Sequence, residues 1–566
     1  MQGKILNFSK TADRYIQLST KKAEQGDLTA SLGFLFSALK ICQEDKYKVM
    51  ERIADTYGEM GLLSLANAYW FKYLSVCPDD KKALAYEQLA INYFYTDNFF
   101  ASSYYFHLKL STDGFISKEN LDEEVLEFFN QSIEKKNAYH VAYPYDRADW
   151  SFRTKMAKHA LAGGDFVQAE KIYSKIPQEC MSEEVSGEYA VTLFLNKKDK
   201  QMIEVCNNSL LKNGENVTAY CNLASLYHAK KDFEKSAYYY AQALRLNKGD
   251  IEDAYKLTTC AMEQGDHLTT NVCLQKILAE RTYDVSMYYF YAVSQANLGN
   301  YNDSARSFCE ILRIYPQDVV VSFYAGYLTR LAETGDDYKN ILPLSYAKEL
   351  PKEIVKNYKR KIRELYSDPK KISSQLKKAE NRAILEWGIV QDNAEYAKNV
   401  VFILINSDSP WAEKLLLDSL MNVDVSGEIK RAIISMLVLT GYKEKIPVIA
   451  NDFYCAVKPR KIVFENKLNG DIFMVAYATC LSRMAFWNID AFDKVAFSMN
   501  KIYKKLGDSV LLTGITAEEL GAICICISKI ERLDNPDYVC SFFDARPQIV
   551  KDHLEIFKGD KKWLKF

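Results

Sequence analysis

Short turn signals recur along this chain at a nearly constant interval. The turns begin at Gly164, Lys198, Lys231, Gly265 and Gly299, and successive turns are about 34 residues apart. Self-similarity at a fixed period of roughly 20 to 50 residues is the signature of repeat architectures. Because one repeat buries its apolar face only against its neighbours, the sequence predicts an elongated array of stacked units rather than one round core.

The residues around each turn form a second pattern. In the best copy, Ala224 and Tyr227 precede the turn, while Ser236, Tyr240 and Ala243 follow it. This pattern resembles the tetratricopeptide repeat, a unit of two antiparallel helices. The resemblance implies that small residues let the two helices approach closely and that neighbouring pairs stack. It also implies that the first helix of each pair lines a curved inner surface.

The array is predicted to span residues 1–335 and to contain about eight or nine helix pairs. Its turns are expected near Gly26, Gly61, Asp97, Gly164, Lys198, Lys231, Gly265 and Gly299. The step from 97 to 164 is about twice the period, so an insertion or a decayed repeat is predicted at 111–150. Within it, the sequence predicts a helix over 121–136 and a loop over 140–149.

The register is lost beyond residue 335. Residues 336–380 are predicted to form a basic helical connector, because 348–379 contain eleven Lys or Arg against four Asp or Glu. A solvated helix face explains such a charge run, and a patch for nucleic acid or an acidic partner is the alternative. Residues 381–566 are predicted to form a helical domain, in which 409–449 resemble a HEAT-type helix pair with Ser426 as a cap.

The predicted fold class is therefore all-α. An α-solenoid of tetratricopeptide-like helix pairs is followed by an all-helical carboxy-terminal region, because no stretch alternates with a convincing strand period. The composition agrees with this prediction, since only 12 prolines and 23 glycines interrupt the 566 residues.

No catalytic, cofactor-binding or metal-binding residues are predicted. The six histidines are far apart, and the chain contains no GxxxxGK[ST], GxGxxG, GxSxG or HExxH motif. The 73 basic and 74 acidic residues nearly cancel, so net charge does not favour nucleic-acid binding. Thirteen scattered cysteines, no recognisable signal peptide and no apolar stretch of membrane-spanning length lead us to expect a cytoplasmic protein without membrane insertion.

The inner surface of the solenoid is the predicted binding site. Its candidate residues on the first helices are Glu51, Asp55, Glu87, Ser225, His228, Tyr255, Thr259 and Tyr289. The surface changes along the array from acidic to aromatic and hydroxyl-bearing. A peptide or helical segment that is basic at one end and apolar at the other would complement it. The alternative is that the tyrosines only cover neighbouring helices.

Three functions fit these patterns. The first is a non-catalytic scaffold or adaptor that binds a protein or peptide of unspecified identity in its groove. The second is a ligand-responsive regulator, in which the repeats act as a sensor and the basic carboxy-terminal segment contacts a target. The third is an enzyme with an unrecognised catalytic domain in residues 340–566. The repeats, the balanced charge and the missing motifs favour the scaffold, and the protein is predicted not to be an enzyme.

Overall fold

The computed structural model describes most of the chain. The described residues are 11–113, 122–133, 150–247, 249–391, 393–460, 462, 470–487, 489–508, 514–530, 533 and 535–558. They divide into two compact units, an amino unit (Met1–Pro351) and a carboxy unit (Lys352–Phe566).

The described part of the amino unit contains eight pairs of antiparallel helices. In chain order the pairs are α1 (Ala12–Glu24) with α2 (Leu28–Ile41), α3 (Lys46–Glu59) with α4 (Leu63–Val76), α5 (Lys82–Tyr95) with α6 (Phe99–Asp113), α8 (Trp150–Ala162) with α9 (Phe166–Tyr173), α10 (Glu183–Leu195) with α11 (Asp199–Lys212), α12 (Val217–Ala229) with α13 (Phe233–Leu246), α14 (Ile251–Gln264) with α15 (His267–Glu280), and α16 (Val285–Asn297) with α17 (Tyr301–Ile314). Short 3₁₀ helices lie at Asp79–Lys81 and Gln178–Cys180.

Two helices in the described part of the amino unit stand outside these pairs. They are α7 (Glu123–Ile133), within the predicted insertion, and α18 (Val319–Thr334), which follows the eighth pair. The loop predicted over 140–149 lies outside the described residues. Residues 336–351 form no helix and belong to the amino unit, so the predicted helical connector begins only at Lys352.

The turns within the pairs require a left-handed backbone residue. Gly299 supplies it with φ 85°, whereas Asp97 and Lys231 take the same conformation at 58° and 61°. Only glycine adopts this region without a steric penalty. The turn residues are therefore the part of the repeat that is easiest to recognise in the sequence, because backbone geometry restricts them more than packing does.

Close contact between the two helices of a pair depends on small residues. Three first helices carry an alanine that is 0 or 1% exposed, and a serine twelve residues later on the second helix donates its hydroxyl to that alanine's carbonyl oxygen. These bonds run from Ser102 to Ala90, from Ser236 to Ala224 and from Ser304 to Ala292, over 2.7, 2.9 and 2.6 Å. A larger side chain at either position would force the helices apart.

The two ends of the array contact each other within the amino unit. Helix α2 packs against α17, and the buried Tyr57 of α3 donates its hydroxyl to the carbonyl oxygen of Ile314 over 2.6 Å. Ile314 ends α17, where helix carbonyls have no partner within the helix. Burial raises the pKa of Tyr57, so the phenol stays neutral and serves as a donor.

The carboxy unit is built almost entirely from helices. These are α19 (Lys352–Ser367), α20 (Ile372–Gln375), α21 (Ala379–Ile389), α22 (Ala394–Ile405), α23 (Pro410–Leu420), α24 (Gly427–Leu439), α25 (Gly470–Phe486), α26 (Phe492–Leu506), α27 (Ala517–Ile527), α28 (Pro536–Phe543) and α29 (Pro547–Lys558). A 3₁₀ helix spans Pro369–Lys371. Ser426 caps α24 by accepting a hydrogen bond from the amide of Ile429, as predicted. The likeness of 409–449 to a HEAT-type pair stays a prediction.

One hairpin departs from the all-helical prediction for the carboxy region. Strand β1 (Ile446–Ala450) pairs in antiparallel register with β2 (Phe453–Val457), where the sequence analysis had placed the end of a helix pair. The connecting Asn451 and Asp452 have φ of 49° and 67°. Two positive φ angles define the type I′ turn, whose twist matches that of the strands. The all-α fold class is otherwise confirmed.

A buried lysine fastens this hairpin to α24. Lys430 is 4% exposed, and its Nζ donates to the carbonyl oxygen of Ile449 over 2.7 Å. Burial lowers the pKa of Lys430 to about 8, because the more distant Asp424 and Asp452 compensate only in part for the lost hydration. The charged lysine is therefore held at a cost in stability.

Enlarging the small residue at a helix contact should destabilise the amino unit. We expect Ala224→Phe to lower the free energy of unfolding by about 1 to 3 kcal/mol, because the buried contact with α13 cannot hold an aromatic ring. Ala237→Phe, at an exposed position of α13, is the matched control and should change little. Thermal and urea unfolding followed by circular dichroism would compare them, and equal midpoints would contradict the proposed register.

The burial of Lys430 predicts a specific pH dependence of stability. In the unfolded chain the lysine titrates near 10.5, so between pH 8 and 10.5 the unfolded state binds more protons and folding is favoured as pH rises. Relative to Lys430→Met, the wild type should gain about 3 kcal/mol over this window. Urea unfolding of both proteins at several pH values measures the difference, and parallel pH profiles would refute it.

Candidate protein-binding groove

The predicted groove residues lie on five first helices of the amino unit. Glu51 and Asp55 belong to α3, Glu87 to α5, Ser225 and His228 to α12, Tyr255 and Thr259 to α14, and Tyr289 to α16. We call the side chains at these repeat-equivalent positions the first-helix face. Their surroundings differ, and they separate into an acidic section, a polar aromatic section and a section covered by the chain itself.

Three carboxylates form an acidic stripe (Glu51, Asp55 and Glu59) along α3. They are spaced four residues apart, which places them on the same side of a helix. Burial and the negative charges of Glu51 and Glu59 raise the pKa of Asp55 to about 6, although its surface remains accessible to water. Burial also raises the pKa of Glu51. Like charges at this spacing destabilise a helix, so a cation placed here would be favourable.

The acidic stripe is not neutralised from within the described chain. None of its three carboxylates forms a salt bridge with a described lysine or arginine. The adjacent Arg52 lowers the pKa of Asp55 only in part, and its guanidinium donates instead to the hydroxyl of Thr20 over 3.2 Å. The stripe therefore presents net negative charge to whatever lies over α3.

Glu87 differs from the residues of the stripe. Its carboxylate lies 3.2 Å from the ammonium of Lys109, a buried residue of α6 that also contacts Asp113. This ion pair already satisfies Glu87, because both partners are largely shielded from water. The sequence placed Glu87 with the acidic residues of α3, but the structure gives it an internal partner.

The polar aromatic section contains two polar atoms that lack a hydrogen-bond partner in the described structure. They are Nδ1 of His228 and the hydroxyl of Tyr255, and both are buried. The His228 ring meets Phe233 edge to face at 5.5 Å, and the guanidinium of Arg281 lies 5.3 Å from the ring of Tyr255. Burial raises the pKa of Tyr255. Unsatisfied buried polar atoms are uncommon in folded proteins, so each of them calls for an explanation.

Ser225 and Thr259 complete this section on the same two helices. They occupy equivalent positions in adjacent repeats, where Ser225 is half-buried and Thr259 is exposed. Hydroxyl groups both donate and accept hydrogen bonds, so they suit a peptide backbone as well as a side chain.

The placement of Tyr289 in an open groove is wrong. Tyr289 is 2% exposed, its ring packs against Phe308 at 5.6 Å, and its hydroxyl donates to the carbonyl oxygen of Ala347 over 3.1 Å. Ala347 belongs to the segment after α18, which covers this part of the first-helix face. Sequence analysis also missed Asn297, eight residues further along α16, whose side-chain amide contacts the same segment.

Neither a metal cluster nor a membrane-spanning helix occurs within the described residues. No group of three or more His, Cys, Asp or Glu side chains in this part of the chain is arranged to hold a metal ion. No helix in the described ranges combines the length and apolar character needed to cross a bilayer.

Comparison with known proteins supports the repeat assignment. Residues 217–250, which comprise α12 and α13, match the family model described as Tetratricopeptide repeat. This match confirms a tetratricopeptide repeat at α12 and α13, and the eight helix pairs agree with the array of such repeats that the sequence pattern predicted. No curated protein sequence matches the chain.

Two solved structures are similar to this chain over much of its length. The crystal structure of the P58(IPK) TPR domain is 14% identical over 58% of this chain and 99% of its own, with a TM-score of 0.23. The crystal structure of yeast Tom70 is 12% identical over 87% of this chain and 96% of its own, with a TM-score of 0.27. At these TM-scores the superpositions carry no argument about the function of this protein.

The pKa of Asp55 is expected to depend on its two acidic neighbours. Replacing both Glu51 and Glu59 by glutamine should lower the pKa of Asp55 below about 6, because the repulsion between like charges is removed while burial remains. Carbon-detected NMR of labelled aspartate carboxyls, assigned with Asp55→Asn, would follow the titration. The control Glu204→Gln lies on the second helix α11 and should leave it unchanged, whereas identical shifts in both variants would disprove the coupling.

Proposed function

We propose that this tetratricopeptide repeat protein is a non-catalytic scaffold that holds a partner's protein segment on its first-helix face. Repeat solenoids use such concave surfaces to bind extended or helical ligands. The segment would place basic residues over the acidic stripe and apolar or aromatic residues against the section around Tyr255. Binding of the segment would place the partner next to any other protein that the chain contacts.

The observation that carries this proposal is the acidic stripe, whose carboxylates form no salt bridge with a described lysine or arginine although Lys48 and Arg52 lie near. Glu51 and Asp55 have raised pKa values, which means that the folded protein holds their negative charges in an unfavourable environment. Selection for stability alone would favour a neutral or basic residue at one of these positions. A basic ligand would supply a countercharge to the stripe. It would gain more binding energy there than from a carboxylate that already has a partner, such as Glu87.

The orphaned polar atoms of His228 and Tyr255 support a second contact region. A backbone amide or a side-chain donor of the ligand would donate a hydrogen bond to Nδ1 of His228. A carbonyl oxygen of the ligand would accept one from the hydroxyl of Tyr255. Each new hydrogen bond would relieve a buried group that now lacks a partner, which is worth about 1 to 3 kcal/mol.

Reversing the charge of the stripe should abolish recognition of basic ligands. The probes are short peptides with lysine and arginine at one end and leucine and tyrosine at the other, and fluorescence anisotropy measures their Kd. Glu51→Lys with Asp55→Lys should weaken binding at least about tenfold, or about 1.4 kcal/mol. The matched control Glu204→Lys changes an exposed charge on α11.

The pattern of results decides the proposal. Equal affinities for the stripe variant and for Glu204→Lys would show that the acidic stripe is not a binding site. Equal affinities for the basic peptide and an acidic peptide of the same composition otherwise would remove the charge argument. Tyr255→Phe tests the second region, since it removes the orphaned hydroxyl and retains the ring.

A further inference from the structure

The segment after α18 lies against the first-helix face of the amino unit. Asp337 begins it with a turn, in which its carboxylate accepts from the hydroxyl of Tyr327 and from the amide of Ile341. The chain then passes the carboxy-terminal end of α16 at Asn297 and continues to the start of α18 at Asp318. We call residues 344–348 the internal segment.

The internal segment is held through its backbone. The side-chain amide of Asn297 donates to the carbonyl oxygen of Leu344 over 2.9 Å and accepts from the amide of Leu344 over 2.7 Å. Tyr289 donates to the carbonyl oxygen of Ala347 over 3.1 Å. Just beyond it, Tyr324 donates to the carbonyl oxygen of Glu349 over 2.9 Å. Hydrogen bonds to the main chain contribute affinity, whereas contacts with side chains set the specificity for a bound segment.

Every second side chain of the internal segment contacts the rest of the amino unit. Leu344 is 5% exposed in the core formed by α16 to α18. Tyr346 shares a hydrogen bond of 2.9 Å with Nδ1 of His267, and Lys348 forms a 2.5 Å ion pair with Asp318. The intervening Ser345 and Ala347 are exposed. The contacting side chains therefore read Leu-x-Tyr-x-Lys along the segment, whose backbone bends at 346–348.

No second helix pairs with α18, because residues 336–351 form no helix. A recess of about 300 Å³ remains between α17 and α18, lined by polar residues that include Arg306, Glu310 and Glu333. The internal segment instead occupies repeat-equivalent groove positions on α16. Tyr289 on this helix is the equivalent of Tyr255 in the preceding repeat.

We infer that the internal segment is an internal ligand of the groove, and that a partner segment with the pattern Leu-x-Tyr-x-Lys binds by displacing it. This inference rests on the proposed function, because it assigns a ligand sequence to one section of the same first-helix face. Because the internal segment belongs to the same chain as the groove, its effective concentration is on the order of millimolar. A free peptide that competes with it therefore binds the wild type more weakly than a variant whose internal segment no longer occupies the groove.

The test uses the full chain and a fluorescent peptide of residues 341–350. In the released variant, Leu344→Asp with Tyr346→Ala, the peptide should bind at least about tenfold more tightly than in the wild type. Adding Asn297→Ala to the released variant should weaken that binding at least about tenfold. A peptide carrying Leu344→Asp should not bind, whereas one carrying Ser345→Thr, at an exposed position, should match the parent.

A second measurement covers the case in which the released variant fails to fold. Hydrogen–deuterium exchange of residues 343–350 in the wild type should accelerate at saturating unlabelled peptide and stay unchanged with the Leu344→Asp peptide. Unchanged exchange with both peptides, or a folded released variant that does not bind the peptide, would show that the segment is a fixed part of the fold. These outcomes do not depend on the acidic stripe, so either proposal can fail without the other.

Discussion

The close contact between the two helices of each pair is the constraint on which the amino unit depends. Ala90, Ala224 and Ala292 leave room for a serine hydroxyl to reach their carbonyl oxygens, and this contact fixes how the helices of a pair lie against each other. Once that geometry repeats, every first helix offers equivalent positions to the same side of the array. The first-helix face is therefore a consequence of the packing between the paired helices.

The sequence revealed this part of the structure because local geometry restricts the residues involved. The left-handed turns and small helix contacts recur with one shared period, so even turns without glycine, such as that at Lys231, keep the register. The hairpin of the carboxy unit was missed for the opposite reason. Ile449 is buried as well as Val448, which breaks the alternation, and the Asn451–Asp452 turn was the remaining signal.

The candidate groove was only partly predictable for a different physical reason. Repeat register placed Asp55 and Tyr255 on the first-helix face, but it could not show which positions the chain itself occupies. Tyr289 contacts a residue 58 positions away, and Asn297 contacts one 47 positions away. Such contacts depend on where an irregular segment folds, and neither periodicity nor helix propensity constrains that path. The sequence therefore predicted which residues lie on the first-helix face more reliably than which of them are exposed to solvent.

The two ends of the array meet the same physical problem in different ways. A stack of helix pairs leaves an apolar face at each end, which must be covered to keep it from water. Near the amino end, α2 packs against α17, and Tyr57 donates a hydrogen bond to the carbonyl oxygen of Ile314. Near the carboxy end, α18 lacks a second helix, and the internal segment contributes Leu344 to the core and Lys348 to the ion pair with Asp318. Because only three residues separate Ile314 from Asp318, both contacts lie at the junction of α17 and α18.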